Sequence, residues 1–335
     1  MNRLARRLTI LKGKREGAFD AEQHHVELAL RGRTARKVRT HLRRMDPVCM
    51  LTPRWSRPQT FLEDLALDLA VGEPGVSCRT VSLRPLKGRS ETEAWSFVLR
   101  VLAQLYAVSW NEARAPQPAS RLGFRTAVET MLERTQNEAI APMALLSHGA
   151  EFVPWSVLDD LSQAWARFAE AHPEERRVTL LLAGTVEAPA MHIEHAPRVV
   201  LQDYGEAEAA AAIVGRSGPS ARAQLEAAAR FTGGMPALVD ALGFGARARG
   251  ALPRSNSGMV RALGKLSDEL RGALEIAASD PLIAERLELL SRGESLVEVP
   301  EVDQPLKMAG LIRYSRRLGE DTVQLRAPAL VDLLS

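Results

Sequence analysis

The feature that most constrains the fold is the alternation of short apolar runs with helical segments along the first two thirds of the chain. The runs lie at 48–51, 79–83, 143–146, 178–183 and 198–201, of which 79–83 mixes apolar with polar residues. Each run is bounded by turns or polar loops and is too short for a buried helix, which predicts a buried β-strand. Helix-length connections between buried strands imply right-handed crossovers. We therefore predict an α/β fold with a parallel sheet covered by helices on both faces, in three layers.

Length and composition exclude several classes of protein. A chain of 335 residues suits two or more domains at roughly 150 residues each, and 46% hydrophobic with 25% charged residues is typical of a folded soluble protein. No apolar run approaches the roughly 18 residues of a membrane helix, and the basic N-terminus lacks a secretory signal. We expect a cytoplasmic protein without membrane contact.

No disulfide framework or metal site is predicted. Cys49 and Cys78 both lie in apolar, strand-like runs, where small buried thiols are common. His192 and His195 are three residues apart in a loop rich in Pro and Ala, without the further ligands that a zinc site needs.

The last 130 residues have a different pattern, which is almost entirely helical. It includes one long helix predicted over 259–279, and it ends in a hairpin signal with strands at 311–315 and 322–326 around a turn at 318–321. Helices followed by a hairpin are the layout of a winged helix, a module that in many proteins contacts DNA.

Charge is distributed unevenly along the chain. Residues 1–44 contain 13 Lys and Arg against 4 Asp and Glu, a local excess of +9, and the remainder is 31 minus 37, or −6. A basic arm on an acidic body indicates attraction to a polyanion or to an acidic protein surface; the alternative is that this chain simply uses Arg wherever it needs a cation. The candidate nucleic-acid contacts are Arg36, Lys37, Arg43 and Arg44 in the arm and Arg313, Arg316 and Arg317 on the hairpin.

The segment after the first apolar run has the position and length of a phosphate-binding loop. Such a loop reads G-x-x-x-x-G-K-[ST], with glycines that let backbone N–H groups reach the phosphates, a lysine that neutralises charge and a hydroxyl for Mg²⁺. Here both glycine positions are proline, Pro53 and Pro58, the lysine position is Gln59, and Thr60 occupies the hydroxyl position. Two prolines remove two N–H donors and restrict φ, which predicts a poor cradle for a triphosphate.

The third apolar run, 143–146, is not followed by the acid that an ATPase would need at its end. In an ATPase of this layout the strand ends in a carboxylate that holds Mg²⁺. Here the strand is followed by Ser147 and His148, and Glu151 comes three or four residues too late.

These segments, with Phe231-Thr-Gly-Gly-Met-Pro-Ala-Leu238, resemble the AAA+/STAND superfamily of P-loop NTPases, in the sub-group with a C-terminal winged helix. The resemblance implies ATP and Mg²⁺ as cofactors, ring or partner-driven assembly, and switching between nucleotide states. The resemblance covers roughly residues 40–335. Together with the basic helical arm (1–44) that the charge distribution indicates, it gives a P-loop NTPase-like core (45–205), a helical lid (206–255) and a winged-helix domain (256–335).

The resemblance also implies roles for individual residues. The predicted nucleotide-binding set is Pro53, Arg54, Arg57, Gln59, Thr60, Gly234 and Pro236. Within it, Thr60 is the Mg²⁺ hydroxyl, Gln59 stands at the lysine position, and Gly234 with Pro236 forms the lid contact near the base. His148 or Ser147 takes the position of the Mg²⁺ acid, and Thr185 that of a sensor.

The leading hypothesis is a degenerate, non-hydrolysing protein of this type, a regulatory or assembly subunit that binds a protein partner or a second copy of itself and holds no cofactor. Two alternatives stay open. One is a DNA-binding protein of a mobile-element or defence system that uses the basic arm and the winged helix. The other is an active ATPase that binds ATP and Mg²⁺ with Arg54 or Arg57 in place of the lysine.

Overall fold

A computed structural model of the chain describes residues 26–71, 75–105, 118–173, 175–185, 196–317 and 320–334. The N-terminal part of the basic arm, His192 and His195 lie outside the described residues. In the described part of the chain, none of the helices combines the length and the apolarity that crossing a bilayer requires.

The predicted parallel sheet is confirmed. Its strands are β1 (Val48–Leu51), β2 (Ser77–Ser82), β3 (Met143–His148), β4 (Val178–Gly184) and β5 (Arg198–Val200). They lie in the order β2-β3-β4-β1-β5, and every pairing is parallel. The carboxyl ends of all five strands therefore meet at one edge of the sheet, with β1 between β4 and β5.

Helices cover both faces of this sheet, as predicted. They are α1 (Val26–Leu30), α2 (Gly32–Arg43), α3 (Pro58–Val71), α4 (Glu91–Leu105), α5 (Arg121–Glu138) and α6 (Trp155–Ala171). On one face, α4 to α6 pack Trp95, Phe124 and Trp165 into an apolar cluster with Leu145 of β3. On the other face, α1 to α3 pack against Leu146 of the same strand. Neighbouring residues of one strand thus contribute to opposite cores.

The second half of the chain is helical with a small antiparallel sheet. The helices are α7 (Glu206–Ser217), α8 (Arg222–Thr232), α9 (Pro236–Arg249), α10 (Asn256–Leu263), α11 (Lys265–Ala277), α12 (Pro281–Ser291), α13 (Pro300–Met308) and α14 (Ala329–Leu334). The strands are β6 (Leu296–Val297), β7 (Ile312–Arg317) and β8 (Glu320–Leu325), in the order β6-β8-β7. The predicted hairpin is therefore present as β7 and β8, while the winged-helix assignment stays a prediction.

The single helix predicted over 259–279 is wrong. Two helices, α10 and α11, occupy this segment, and they are separated at Gly264, whose φ of +57° and ψ of −133° lie outside the helical region. The apolar periodicity continues across the break, so the pattern did not reveal it. Glycine adopts this conformation at little steric cost.

Candidate functional site

The loop of residues 52–57 joins β1 to α3 at the carboxyl edge of the sheet. Within it, Trp55 and Arg57 have φ values of +71° and +51°. This left-handed region favours glycine and costs other residues roughly 1–2 kcal/mol each. The loop thus adopts a strained backbone without the glycines that would relieve it, so the surrounding contacts must stabilise it.

Those contacts reach the loop from three distant parts of the chain. The carbonyl oxygen of Arg54 accepts from Arg326 Nη1. The carbonyl of Trp55 accepts from the backbone N–H of Ala237 at 3.2 Å, and that of Ser56 accepts from Arg31 Nη2 at 2.7 Å. Arg31 follows α1, Ala237 lies in the first turn of α9, and Arg326 directly follows β8. Three consecutive carbonyls of the loop are therefore held by donors of the protein itself.

The Trp55 side chain fixes the loop to the turn after α13. Its Nε1 donates to the carbonyl of Ala309 at 3.1 Å, and the Arg54 guanidinium lies 4.7 Å from the centre of its ring. Gly310 packs so closely that a Cβ there would lie 2.8 Å from Cβ of Arg54. The outer side of the loop is thus covered by the C-terminal part of the chain.

Next to the loop is a charged cluster, composed of Glu27, Arg31, Arg57, Asp64, Tyr204, Arg216 and Asp240. Arg31 is 4% exposed and is paired with Glu27 at 3.4 Å. Asp240 is ion-paired with Arg216 at 2.5 Å and with Arg57 at 2.7 Å. Arg31 also lies over the rings of Phe61 and Tyr204. The cluster connects α1, the loop, α3, α7 and α9 through charges that are largely buried, apart from Arg57, whose side chain is 48% exposed.

Burial raises the pKa of two carboxyl groups in this cluster, Asp64 and Asp240. It raises the pKa of Asp64 to about 7, and the backbone N–H of Glu27, which donates to Asp64 at 3.2 Å, acts in the opposite direction. Burial also raises the pKa of Asp240, against the attraction of Arg216 and Arg57. A neutral carboxyl group is favoured wherever water is excluded.

Comparisons with known proteins bear on the fold. No family model matches the sequence, and no curated protein matches it. Among solved structures, a Walker-type ATPase of Pyrococcus abyssi is similar with a TM-score of 0.61 at 14% identity, over 91% of this chain and 95% of that one. The chain has a P-loop NTPase fold.

Two further structures have lower scores. A STAND protein with a tetratricopeptide repeat sensor from Pyrococcus horikoshii gives a TM-score of 0.45 at 12% identity, over 89% of this chain and 41% of that one. Cdc6p of Pyrobaculum aerophilum gives 0.43 at 12% identity, over 93% of this chain and 91% of that one.

In this P-loop NTPase fold, the residues predicted to contact phosphate and Mg²⁺ lie at the start of α3. Gln59 and Thr60 are exposed in its first turn, next to Pro58. The Gln59 amide donates to Glu63 Oε1 at 3.0 Å, so it pairs within its own helix. Arg54 is stacked on Trp55, and Arg57 reaches across to Asp240 of α9.

The predicted lid contact lies close to the same loop. The carbonyl of Gly234 accepts from the backbone N–H of Tyr204 at 2.9 Å, and Pro236 is the buried first residue of α9. This joint places the N–H of Ala237 against the Trp55 carbonyl. The start of α9 therefore contacts the loop through Ala237, while the role of Gly234 and Pro236 at a nucleotide stays a prediction.

The end of β3 presents an imidazole and not a carboxylate. His148 is half-buried; burial lowers its pKa, and the Glu63 carboxylate acts in the opposite direction. The Ser147 hydroxyl donates to the carbonyl of Leu181 at 3.0 Å inside the sheet. Glu151 accepts from the backbone N–H of Thr185 at 3.3 Å, which joins the late acid to the predicted sensor position.

The predicted nucleic-acid residues divide into two groups. In and after α2, Arg36, Lys37 and Arg44 are exposed and Arg43 is half-buried. Arg313 lies exposed on β7 opposite Gln324, whose amide oxygen can accept from its guanidinium. Arg316 and Arg317 also belong to β7, but their side chains lie outside what the structure describes. The first group is beside the parallel sheet and the second is in the antiparallel sheet.

Several residues of the site were not predicted from the sequence. Arg31 and Glu27 form an i, i+4 pair, which is a recognisable signal. Asp64 interrupts the apolar face of α3 and was a second signal. Arg326 and its bidentate partner Asp203 are 123 residues apart, and no local pattern indicates their contact.

Proposed function

We propose that this protein is a non-hydrolysing protein of P-loop NTPase fold that works as a regulatory or assembly subunit through protein contacts, with a protein partner or a second copy of itself. The observation that carries the proposal is the set of protein donors on the carbonyls of residues 54–56. These contacts connect the loop to α9 and to the C-terminal region. They support a role for the loop as a structural joint between parts of the protein.

The chemistry that remains at the loop does not favour phosphoryl transfer. That reaction depends on a cation at the β- and γ-phosphates and on a carboxylate that holds Mg²⁺. Gln59 supplies no charge, and its amide donates to Glu63. At the end of β3, an imidazole with a lowered pKa is neutral at physiological pH and does not replace a carboxylate.

The alternative of an active ATPase needs an arginine in the place of the missing lysine. Arg57 is paired at 2.7 Å with a buried acid, Asp240, and releasing it would remove one of the two ion pairs of that acid within the described residues. Arg54 is stacked on Trp55. These contacts favour the non-hydrolysing function over the active ATPase.

The test is calorimetric titration of the full chain with Mg·ATP, beside a Gln59→Lys variant and a size-matched Gln59→Met control. We expect the wild type to give no binding heat, which would exclude a dissociation constant tighter than about 1 mM, or a binding free energy of roughly −4 kcal/mol. Binding by Gln59→Lys alone would show that the charge at this position was the missing element. Micromolar binding by the wild type would contradict the proposal.

Assembly is tested separately, by sedimentation velocity over a range of protein concentrations with and without Mg·ATP. The proposal expects the same distribution of species in both conditions, because nucleotide does not enter the loop. A distribution that shifts to larger species only with Mg·ATP would support the active-ATPase alternative instead.

A further inference from the structure

The α2 helix exposes a row of cations that its own sequence does not balance. Its twelve residues, GRTARKVRTHLR, include no Asp or Glu. Arg33, Arg36, Lys37 and, one residue after the helix, Arg44 are all exposed. Residues three, four, seven and eleven positions apart lie on one side of a helix. These four residues form a single basic row, named here the α2 stripe.

The opposite side of α2 is firmly anchored. Val38 and Leu42 are fully buried in the core beneath the sheet. Thr34 Oγ1 donates to the carbonyl of Val200 on the edge strand β5 at 3.4 Å, and Arg39 pairs with Asp68 of α3 at 2.7 Å. The backbone that carries the stripe is therefore held in position before any ligand arrives, which lowers the entropy cost of binding.

No carboxylate neutralises the stripe within the described residues. The acids beside α2 are engaged with other cations: Asp68 with Arg39, and Asp46 with His41 and Arg176. The four stripe residues form no ion pair in the described part of the chain, so their charge is available to an external anion.

The composition of the stripe selects among anionic partners. A membrane-surface helix needs an exposed apolar face, and a protein interface has an apolar or aromatic centre; the apolar side of α2 is buried. Binding of single strands relies on aromatic side chains that stack on bases, and the stripe contains none. Lys and Arg alone are sufficient to contact the phosphates of a duplex.

The length of the stripe also fits a duplex. From residue 33 to residue 44 the helix rises about 17 Å, at about 1.5 Å per residue. Over that distance a DNA duplex presents on the order of ten phosphates. We propose that the α2 stripe binds the phosphate backbone of a nucleic-acid duplex. Because we expect these four cations to contact phosphates, which carry no sequence information directly, we expect binding that does not distinguish base sequence.

The proposal is tested by fluorescence anisotropy with the full chain and labelled duplexes of about 24 base pairs, in two unrelated sequences, from about 50 to 200 mM salt. Four phosphate contacts predict a slope of log K against log salt of about −3.6. The variant Arg33→Gln/Arg36→Gln/Lys37→Gln/Arg44→Gln should flatten this slope by about that amount and weaken binding at least about tenfold at low salt.

The matched control removes the same number of exposed cations elsewhere: Arg247→Gln/Arg254→Gln/Lys265→Gln/Arg271→Gln. The proposal expects this control to bind within about twofold of the wild type, because only contacts within a Debye length matter at these salt concentrations. Equal losses in both variants would mean that total charge, and not the stripe, attracts the duplex, and would overturn the proposal. Absence of duplex binding by the wild type would overturn it as well.

Two further arms complete the test. An RNA duplex of equal length binds comparably if the backbone alone is recognised, whereas binding confined to single strands contradicts the proposal. If the quadruple variant fails to fold by circular dichroism, the single variants Lys37→Gln and Lys265→Gln replace it. Lys37→Gln should then reduce the salt slope by about 0.9 and Lys265→Gln should leave it unchanged.

Discussion

At the scale of single residues, two glycines determine how α9 joins the rest of the protein. Gly233 and Gly234 have φ values of +56° and +77°. A Cβ on Gly234 would overlap the carbonyl oxygen of Tyr204, and one on Gly233 would lie 2.8 Å from Cα of Ala327. Gly234 therefore lies against Tyr204, before α9, and Gly233 lies against the C-terminal region. Neither position has room for a side chain.

We expect Gly234→Ala to lower the free energy of unfolding by about 2–5 kcal/mol, from left-handed strain together with overpacking. The matched control is Gly250→Ala, since Gly250 has the same φ of +77° but nothing within 4 Å of its Cβ position. The control should cost only the strain, about 1–2 kcal/mol. Urea unfolding measures both changes, and equal losses would show that packing against Tyr204 contributes nothing.

A second residue-scale prediction concerns Asp64, whose pKa burial raises to about 7. In the unfolded chain an Asp titrates near pH 4, so the folded state binds the additional proton between about pH 4 and 7. Stability from this group is fully present below the unfolded pKa and is lost as the pH rises through 7. The Asp64→Asn variant removes this dependence. Melting temperatures at pH 5 and pH 8 should therefore differ less in the variant than in the wild type.

At the scale of elements, the end of β8 is connected to the linker that precedes α7. Arg326 is 2% exposed, and its Nε and Nη2 donate to the two carboxylate oxygens of Asp203 at 2.7 and 2.5 Å. Its Nη1 donates to carbonyls of Arg54 and Gly310. One side chain thus joins the small sheet, the linker and the loop after β1.

Removing the charge partner should strongly destabilise this junction. Asp203→Asn leaves a buried guanidinium without its carboxylate, and breaking a buried pair typically costs about 3–5 kcal/mol. Glu226→Gln, which breaks the surface pair of Glu226 with Arg222, should leave the urea midpoint unchanged. If Asp203→Asn shifted the midpoint no more than this control, the bidentate contact would not stabilise the fold.

At the scale of the whole molecule, the loop after β1 is where three regions meet. Donors from the segment after α1, from α9 and from the residue after β8 all reach its carbonyls. A partner that displaces any of these donors would affect the other two through a loop of six residues (52–57). The proposed regulatory function would use this arrangement, since a contact on one region would reach the others through the loop.

The sequence by itself determined the class of fold. Strands such as 48–51 and 178–183 were recognisable because a strand that is buried on both faces must be apolar throughout. The hairpin of β7 and β8 was recognisable from its turn. The segment 53–60 after the first strand followed from the same local pattern, as did its lack of glycine and lysine, although its last three residues belong to α3 and not to the loop. These features depend on neighbours within about ten residues, which a single sequence displays directly.

Only the tertiary structure decided what surrounds that loop. The contacts of Arg31, Ala237 and Arg326 join residues 25 to 272 positions apart, and long-range polar pairs have no periodicity that a sequence can show. The break at Gly264 was missed because glycine is tolerated inside a helix and the apolar pattern continues through it. Which cations are exposed also depended on packing, because Arg31 and Arg33 differ by two positions, yet one is buried beside the loop and the other faces solvent.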